Sequence, residues 1–136
     1  MDLSTINWLA VLVAGIVSWA IGALWYSPVL FGKIWQRETG LTEESLKNAN
    51  MAKIFGTSAV LMIIMAFGLA MFFQGDPEMN WLKGNQMGFI TGLFFIAPSI
   101  GINYLYQRKS FTLWAIDAAY QVLILALSGA IIGAWS

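Results

Sequence analysis

The sequence predicts an all-α integral membrane protein, a four-helix bundle with a short interfacial amphipathic helix between its first and second spans. Of the 136 residues, 59% are hydrophobic and 10% are charged, whereas soluble domains are roughly 45–50% apolar and about 25% charged. Four stretches of 30, 22, 24 and 19 residues contain no charged side chain: 3–32, 54–75, 84–107 and 118–136. A membrane-spanning helix needs about 20 mostly apolar residues. The composition therefore excludes a soluble enzyme, a disordered chain and a nucleic-acid-binding protein.

The predicted spans leave room for one membrane domain, residues 1–136. They are placed at Ile6–Tyr26, Ala52–Phe73, Asn85–Tyr106 and Thr112–Trp135. Buried strands are excluded because strands are typically about 3–10 residues long. Strands of an outer-membrane barrel are excluded because the runs do not alternate apolar with polar residues. The N-terminus lacks the basic region of a signal peptide, so we expect the first span to be retained.

The predicted cytoplasmic loop 27–51 contains the interfacial helix. After Pro28, polar and basic residues are interspersed among apolar ones, a pattern typical of a helix that lies on the membrane surface: the apolar residues are Val29, Leu30, Phe31, Ile34 and Trp35, and the others are Lys33, Gln36 and Arg37. Thr42 is a favourable N-cap. We therefore expect the second span to begin early, near Glu43, as a solvated helix that continues into the membrane.

The distribution of basic residues predicts the orientation. Six of the seven belong to the first and third connections: Lys33, Arg37, Lys47, Lys53, Arg108 and Lys109. The seventh, Lys83, belongs to the second connection. Because cytoplasmic loops carry an excess of Lys and Arg, both termini are expected to face outside the cytoplasmic membrane. Trp25, Trp35 and Trp114 then fall at the cytoplasmic boundary, where indole rings are enriched.

Each predicted span carries a face of small and polar residues, through which helices associate in lipid. Gly84, Gly88 and Gly92 repeat at four-residue spacing in the third span, and Gly129 and Gly133 do so in the fourth. The corresponding face of the second span contains Asn50, Lys53, Thr57, Ile64 and Gly68. The spacing leaves two arrangements open: the glycines close the bundle of one chain, or they join two chains in a homo-oligomer.

Pro98 interrupts the third span. A proline inside a helix lacks the N–H for the backbone bond and crowds the carbonyl four residues earlier. We therefore expect a kink that frees the carbonyl near Phe94. Beyond it, Ser99 and Asn103 are predicted to continue the glycine face.

Asp117 is the ionisable residue placed deepest in a predicted span. A charge at a helix centre costs roughly 2.5–3.5 kcal/mol on the insertion scale, and less towards the ends. Asp117 lies about 7–8 Å beyond Thr112, at about 1.5 Å per residue. Side chains from the other spans fall at a similar depth. The predicted inner-leaflet polar cluster contains Asp117, Gln121, Asn103, Lys53 and Tyr26.

Two interpretations of Asp117 remain open at this point. One is a proton- or cation-linked site in a small transporter or channel. The other is a structural ion pair with Lys53 or Arg108, which the apolar middle of every span favours. The chain contains no cysteine and no histidine, which removes thiolate chemistry and the commonest metal ligand and proton shuttle. We therefore expect no enzyme activity, no bound metal and no cofactor.

The segment from Leu24 to Trp35, Leu-Trp-Tyr-Ser-Pro-Val-Leu-Phe-Gly-Lys-Ile-Trp, resembles the hallmark of a small bacterial membrane family, domain of unknown function 1761. The signature positions are Trp25, Tyr26, Ser27, Pro28, Phe31, Gly32 and Trp35. The resemblance covers roughly residues 6–135 and implies a four-span protein of the inner membrane without an assigned activity. Since Pro28 disfavours helix at Ser27, we expect an elbow that turns the chain along the membrane surface.

Three functions are compatible with these observations. The first is a structural or interaction protein that forms a helical bundle or a homo-oligomer. The second is a small channel or proton-coupled transporter that uses Asp117. The third is a lipid-binding membrane protein that uses the elbow. The lipid bilayer is the expected partner, and no nucleic acid is expected.

Overall fold

A computed structural model describes residues 2–135 and confirms the all-α class, with no strand in that range. Within these residues the α-helices are α1 (Trp8–Trp25), α2 (Gly32–Thr39), α3 (Glu43–Lys47), α4 (Met51–Phe73), α5 (Trp81–Thr91), α6 (Ala97–Tyr106) and α7 (Phe111–Ala134). A 3-10 turn covers Leu3–Thr5, and a π-helical segment, Gly92–Ile96, joins α5 to α6. In the described part of the chain, four helices are long and apolar enough to cross a membrane: α1, α4, the continuous helix Trp81–Tyr106, and α7.

A polar side chain caps the first turn of every span. Each cap accepts a hydrogen bond from the backbone N–H three residues further on: Asn7, Asn50, Asn80 and Ser110. Such caps satisfy N–H groups that have no partner within the helix. The third span consequently begins at Trp81, four residues before the predicted start at Asn85.

The predicted early start of the second span is wrong. Thr42 does cap a helix, through reciprocal hydrogen bonds with Ser45, but that helix is α3 and it ends at Lys47. The second span starts separately at Met51, where Asn50 caps it. The predicted helix between the first two spans is α2, which Gly40 ends in the left-handed conformation with φ 75°.

The last helix, α7, is the centre of the bundle. It is the most deeply buried of the four spans, and the other three all pack against it. Its most extensive contact is with α5, whereas α1 and α4 pack on each other as well as on α7. The side chains of α7 therefore face all three of the other spans.

The connections define two ends of the bundle. At the terminal end, Asn7 Nδ2 donates to the Trp135 carbonyl at 3.3 Å, and Asp2 N donates to Gln74 Oε1 at 3.4 Å. The opposite end is named the basic end. It carries Lys33, Arg37, Lys47, Lys53, Arg108 and Lys109.

An ion pair stabilises the turn before the third span, at the terminal end. Lys83 Nζ pairs with Asp76 Oδ2. The hydrogen bond from Lys83, together with that from the Glu78 backbone N–H, lowers the pKa of Asp76 below its usual range. Lys83 thus belongs to the start of α5, and its ammonium group is directed at Asp76 in the preceding connection.

The glycines of the third and fourth spans join two helices of the same chain. A Cβ on Gly84 would overlap the Gly129 carbonyl oxygen, and one on Gly88 would overlap the Leu125 carbonyl oxygen. Gly133 lies in the same way against the Asn80 carbonyl. The backbones of α5 and α7 are therefore in direct contact, and these glycines close the bundle of one chain.

The small and polar face of the second span is not used inside the bundle. Its residues Asn50, Lys53, Thr57 and Ile64 are exposed, and Gly68 is half-buried. The buried residues of α4 lie on another side of the helix: Ala66, Leu69, Ala70 and Phe73. The expected packing role of the first face is therefore wrong for this bundle, because apolar residues of α4 make the contacts with α1 and α7.

The third span is not kinked in the simple way that Pro98 predicts. The Ala97 N–H bonds to the Gly92 carbonyl, five residues back. A turn of this π type holds one residue more than an α-helical turn, and Pro98, which has no N–H, follows it in the first turn of α6. The extra residue rotates everything in α6 relative to the glycine face of α5.

Candidate functional site

Two tyrosine hydroxyls bind the carboxyl group of Asp117. Tyr26 donates to Oδ1 at 2.6 Å, and Tyr104 donates to Oδ2. Tyr26 follows the end of α1 and Tyr104 belongs to α6, so one carboxyl group connects two elements to α7. These three residues are named the tyrosine–carboxyl cluster. Within residues 2–135, Asp117 takes part in no ion pair.

The signature segment forms the elbow that positions Tyr26. The Gly32 N–H donates to the Ser27 carbonyl at 2.9 Å, and the Phe31 N–H donates to the Trp25 carbonyl at 3.0 Å. The Phe31 ring lies 4.6 Å from the Trp25 ring, measured between centroids. A Cβ on Gly32 would lie 2.7 Å from the Ser27 carbonyl oxygen, which real Cβ atoms essentially never approach. Glycine is therefore the residue that fits this position without a shift of the elbow backbone.

Aromatic contacts hold the elbow against α7. The Tyr26 ring meets Trp35 of α2 at 5.8 Å and Tyr120 of α7 at 5.3 Å, both edge to face. The Trp25 indole N–H donates to the Ile116 carbonyl at 3.1 Å. Aromatic pairs in this arrangement contribute about 0.5–1.5 kcal/mol beyond their buried area. The signature residues thus dock α2 on α7.

The outer side of the elbow is open. Ser27 Oγ donates to the Leu24 carbonyl at 2.6 Å, and Pro28 follows as an exposed residue. Val29 is 83% exposed, and Lys33 is exposed as well. This side presents an apolar and a cationic side chain at the basic end.

Polar groups continue from the cluster towards the middle of the bundle. The Tyr120 hydroxyl donates to the Ser18 carbonyl at 2.8 Å, and Gly22 leaves room for it, since a Cβ there would lie 2.5 Å from that hydroxyl. The hydroxyls of Ser18 and Ser128 lie 3.1 Å apart, and both residues are buried. The expectation that the middle of every span is apolar is therefore wrong for α1 and α7.

Gln121 lies one helical turn beyond Asp117. The residue is half-buried, and its Oε1 atom is fully buried without a hydrogen bond from any described residue. Buried polar atoms in folded proteins nearly always have a partner. This unpaired acceptor is therefore an unusual feature beside the cluster.

Lys53 does not reach Asp117. The Tyr120 hydroxyl lies 3.7 Å from Met62 Sδ, which sets the height of α4 relative to α7. Lys53 is nine residues before Met62, whereas Asp117 is only three before Tyr120. The difference of six residues places Lys53 about 9 Å nearer the basic end, at about 1.5 Å per residue. Lys53 is exposed there and, among the described residues, forms no ion pair.

Asn103 lies close to the predicted height but on the wrong face. It is exposed, and its neighbour Tyr104 contacts Asp117 instead. The π segment before Pro98 supplies the physical reason, because one additional residue rotates the following helix by about one residue position, or 100°. Ser99 is exposed for the same reason. Sequence reasoning missed Tyr104, and Pro98 was the one signal that the face could change.

The second predicted ion-pair partner, Arg108, is also apart from Asp117. It lies exposed in the turn between α6 and α7 with φ 58°, in the left-handed region. Neither ion pair in the described part of the chain includes it. Its neighbour Lys109 places Nζ 4.8 Å from the centroid of the Tyr104 ring.

Trp114 fastens α6 to α7 near the cluster. Its indole N–H donates to the Ala97 carbonyl at 2.9 Å. A Cβ on Gly101 would lie 3.1 Å from the indole nitrogen, so the glycine gives the ring room. Trp114, predicted as a boundary residue, thus also makes a specific contact between helices. Within residues 2–135, no group of three His, Cys, Asp or Glu residues could hold a metal ion.

Comparison with known proteins gives one family. No curated protein and no solved structure matches the chain. The model of a family described as a protein of unknown function, DUF1761, matches residues 9–133, a range that includes the elbow and the tyrosine–carboxyl cluster. Because this match covers nearly the whole chain, the chain belongs to the DUF1761 family of proteins of unknown function.

Proposed function

We propose that this protein is a non-catalytic interaction protein of the cytoplasmic membrane that self-associates through the exposed face of α4. The observation that supports the proposal is that Thr57 and Ile64 of this span are exposed, and that the half-buried Gly68 beside them faces open space. Thr57 Oγ1 has no hydrogen-bond partner among the described residues, and a Cβ on Gly68 would meet nothing within 4 Å. Helices associate in lipid through small residues and shared polar groups. A second copy would supply both.

In this proposal the tyrosine–carboxyl cluster is a joint within the monomer. Each carboxyl oxygen of Asp117 accepts from a tyrosine, one beside the elbow and one in α6. Such a joint needs no substrate, because its partners are side chains of the same chain. It keeps α1, α6 and α7 in one arrangement and leaves α4 free to contact another molecule.

The test measures energy transfer between copies in liposomes. Molecules carrying donor or acceptor dyes at an introduced Glu78→Cys are reconstituted at decreasing protein-to-lipid ratios. We expect transfer above the level of randomly distributed monomers. The double variant Thr57→Leu/Gly68→Leu should fall to the random level, because two leucine side chains hold the helices apart. Random-level transfer in the unsubstituted protein would overturn the proposal.

A matched control separates this effect from a general effect of added bulk. Ala23→Leu also adds a leucine to an exposed position of a span, on α1. We expect it to leave the energy transfer unchanged. An equal loss of transfer in Ala23→Leu would contradict the assignment of the interface to α4.

A proton-coupled transporter or channel that uses Asp117 is the second candidate function. Two observations favour it: Asp117 has no ion-pair partner in the described part of the chain, and the Ser18–Ser128 pair places polar groups deeper in the bundle. The test is proton leak in proteoliposomes under a pH gradient. A leak that Asp117→Asn abolishes while the helical content is preserved would support transport. No leak, or an equal leak in the variant, would reject a role of Asp117 in transport.

A further inference from the structure

Two neighbouring side chains on one face of α7 each lack a partner among the described residues. The amide oxygen of Gln121 lacks a hydrogen-bond donor, and the carboxyl group of Asp117 lacks an ion-pair partner. Gln121 Oε1 is fully buried and accepts no hydrogen bond from a described residue. Asp117 precedes it by four residues, the spacing at which Gln and Asp side chains on a helix can hydrogen-bond to each other. An ionised carboxylate can only accept hydrogen bonds. It would therefore leave the Gln121 oxygen without a donor.

Asp117 also has no ion-pair partner in the part of the chain that the structure describes. The titratable groups that face it are the hydroxyls of Tyr26 and Tyr104, with Tyr120 against the Tyr26 ring. Two other helices contribute uncharged side chains near these groups. Trp35 of α2 packs on Tyr26, and Met62 of α4 contacts Tyr120. Lys109 lies against the Tyr104 ring, with Nζ 4.8 Å from its centroid, and among the described residues it forms no ion pair.

Protonation of Asp117 would account for both observations. An isolated ionised carboxylate inside an apolar medium is so costly that such groups are usually neutralised instead. A neutral carboxylic acid has an O–H to donate, and it retains acceptor capacity on its oxygens. One proton on Asp117 therefore removes a charge that has no ion-pair partner among the described residues and provides the donor that Gln121 Oε1 lacks. The hydroxyls of Tyr26 and Tyr104 can still donate to the two carboxyl oxygens.

We propose that Asp117 is a proton-binding site, in which the protonated carboxyl group donates its O–H to Oε1 of Gln121. The proton comes from water at the basic end of the bundle. When it leaves, the carboxylate keeps its two tyrosine donors and Gln121 loses its only donor. The proposal concerns the resting state of the joint, and it applies whether or not the protein transports protons.

Infrared spectroscopy of the protein in lipid tests the proposal, because the carbonyl band of a protonated carboxyl group is separated from the bands of carboxylates. At neutral pH we expect one such band that disappears in Asp117→Asn. Gln121→Leu removes the acceptor, so the band should move to higher wavenumber, or require a lower pH to develop. Asn103→Leu is the matched control, since it replaces an exposed amide near the same height without touching Asp117, and its band should equal that of the unsubstituted protein.

Two results would overturn the proposal. One is the absence at neutral pH of a carboxyl band that depends on Asp117. The other is the same band position and the same pH dependence in Gln121→Leu and in the unsubstituted protein. If Gln121→Leu does not fold, as judged by circular dichroism, Gln121→Asn takes its place. The side chain of asparagine is one methylene shorter, so it moves the acceptor away from Asp117. An unchanged carboxyl band in this variant would contradict the proposal equally.

Discussion

Tyr26 shows how a single hydroxyl can determine the position of a whole segment. Its side chain donates to Asp117 Oδ1 at 2.6 Å, while its ring packs between Trp35 and Tyr120. The ring contacts and the hydrogen bond act on different partners, so they can be separated by substitution. Tyr26 directly follows α1, where the elbow begins. We therefore expect the elbow to loosen when either the hydrogen bond to Asp117 or the ring contacts are lost.

Replacement of Tyr26 by phenylalanine tests the hydrogen bond alone. Tyr26→Phe keeps the ring and removes the donor to Asp117. We expect the free energy of unfolding to fall by about 1–3 kcal/mol, the usual cost of leaving a buried polar group without its partner. Thermal unfolding in detergent, followed by circular dichroism, measures the effect. Tyr106→Phe is the control, because Tyr106 is 87% exposed and is expected to show no change. Equal stability of the two variants would contradict the role of the bond.

Glycine is favoured at position 32 because the elbow leaves no space for a side chain there. A Cβ at this position would meet the backbone of Tyr26 and Ser27, and backbone atoms cannot rotate away as a side chain can. We expect Gly32→Ala to lower the free energy of unfolding by about 1–3 kcal/mol, as overpacking does, and to make the elbow more accessible to protease. Limited proteolysis and thermal unfolding measure the two effects.

Gly56→Ala provides the matched control for Gly32→Ala. No atom lies within 4 Å of a Cβ at Gly56, which is inside the exposed part of α4. Alanine is there expected to be neutral or stabilising by up to about 1 kcal/mol, the difference in helix propensity between the two residues. A similar loss of stability in both glycine variants would show that space at Gly32 is not the cause.

At the scale of the helices, the irregular third span separates the part of the site that the sequence predicts from the part that it does not. Counting residues from the ends of the spans placed Tyr26 and Asp117 at a common depth, and the structure brings them together. The same counting placed Asn103 near that depth but could not give its face, because the π segment Gly92–Ile96 shifts the register by one residue. A single proline indicates an irregularity in the helix, but it does not specify whether a kink or an extra residue results.

The contact between α5 and α7 gives a prediction for a helix pair. A Cβ on Gly88 would overlap the Leu125 carbonyl oxygen, so Gly88→Ala forces the two helix backbones apart. We expect a loss of about 1–3 kcal/mol in the free energy of unfolding, measured by thermal unfolding in detergent. Gly68→Ala, where a Cβ would meet nothing within 4 Å, should not lower monomer stability and can raise it by up to about 1 kcal/mol, the difference in helix propensity. If Gly88→Ala instead altered the oligomeric state and left stability unchanged, the glycines would be joining two chains.

At the scale of the whole molecule, the number of spans follows from composition, whereas their arrangement does not. Lipid requires every spanning segment to satisfy its own backbone hydrogen bonds, which makes a long apolar run without charges a reliable sign of a helix. The choice of neighbours depends on local fit between faces. The central position of α7 results from backbone contact at the glycines of α5 and from the tyrosines that reach Asp117, and no single stretch of sequence specifies both.

The fourteen charged residues are sorted between the two ends of the bundle. The basic end carries six basic residues and three acidic ones, a net charge of +3, and the terminal end carries one basic and three acidic residues, a net charge of −2. Asp117, inside α7, is the remaining ionisable residue in this formal count. Because Lys and Arg are retained on the cytoplasmic side, the distribution of basic residues, six at one end and one at the other, predicts that the basic end faces the cytoplasm and that both termini face outward.

The absence of cysteine from the sequence makes this orientation directly measurable. Glu78→Cys places one thiol in the turn at the terminal end, and Glu44→Cys places one in α3 at the basic end; both positions are exposed. In intact cells, a membrane-impermeant maleimide should label Glu78→Cys and leave Glu44→Cys unlabelled, whereas after permeabilisation it should label both. The unsubstituted protein, which has no thiol, gives the background. Labelling of Glu44→Cys and not of Glu78→Cys in intact cells would reverse the orientation. The elbow and its lysine would then face the outer leaflet, and the Asp117 proton would exchange with the exterior.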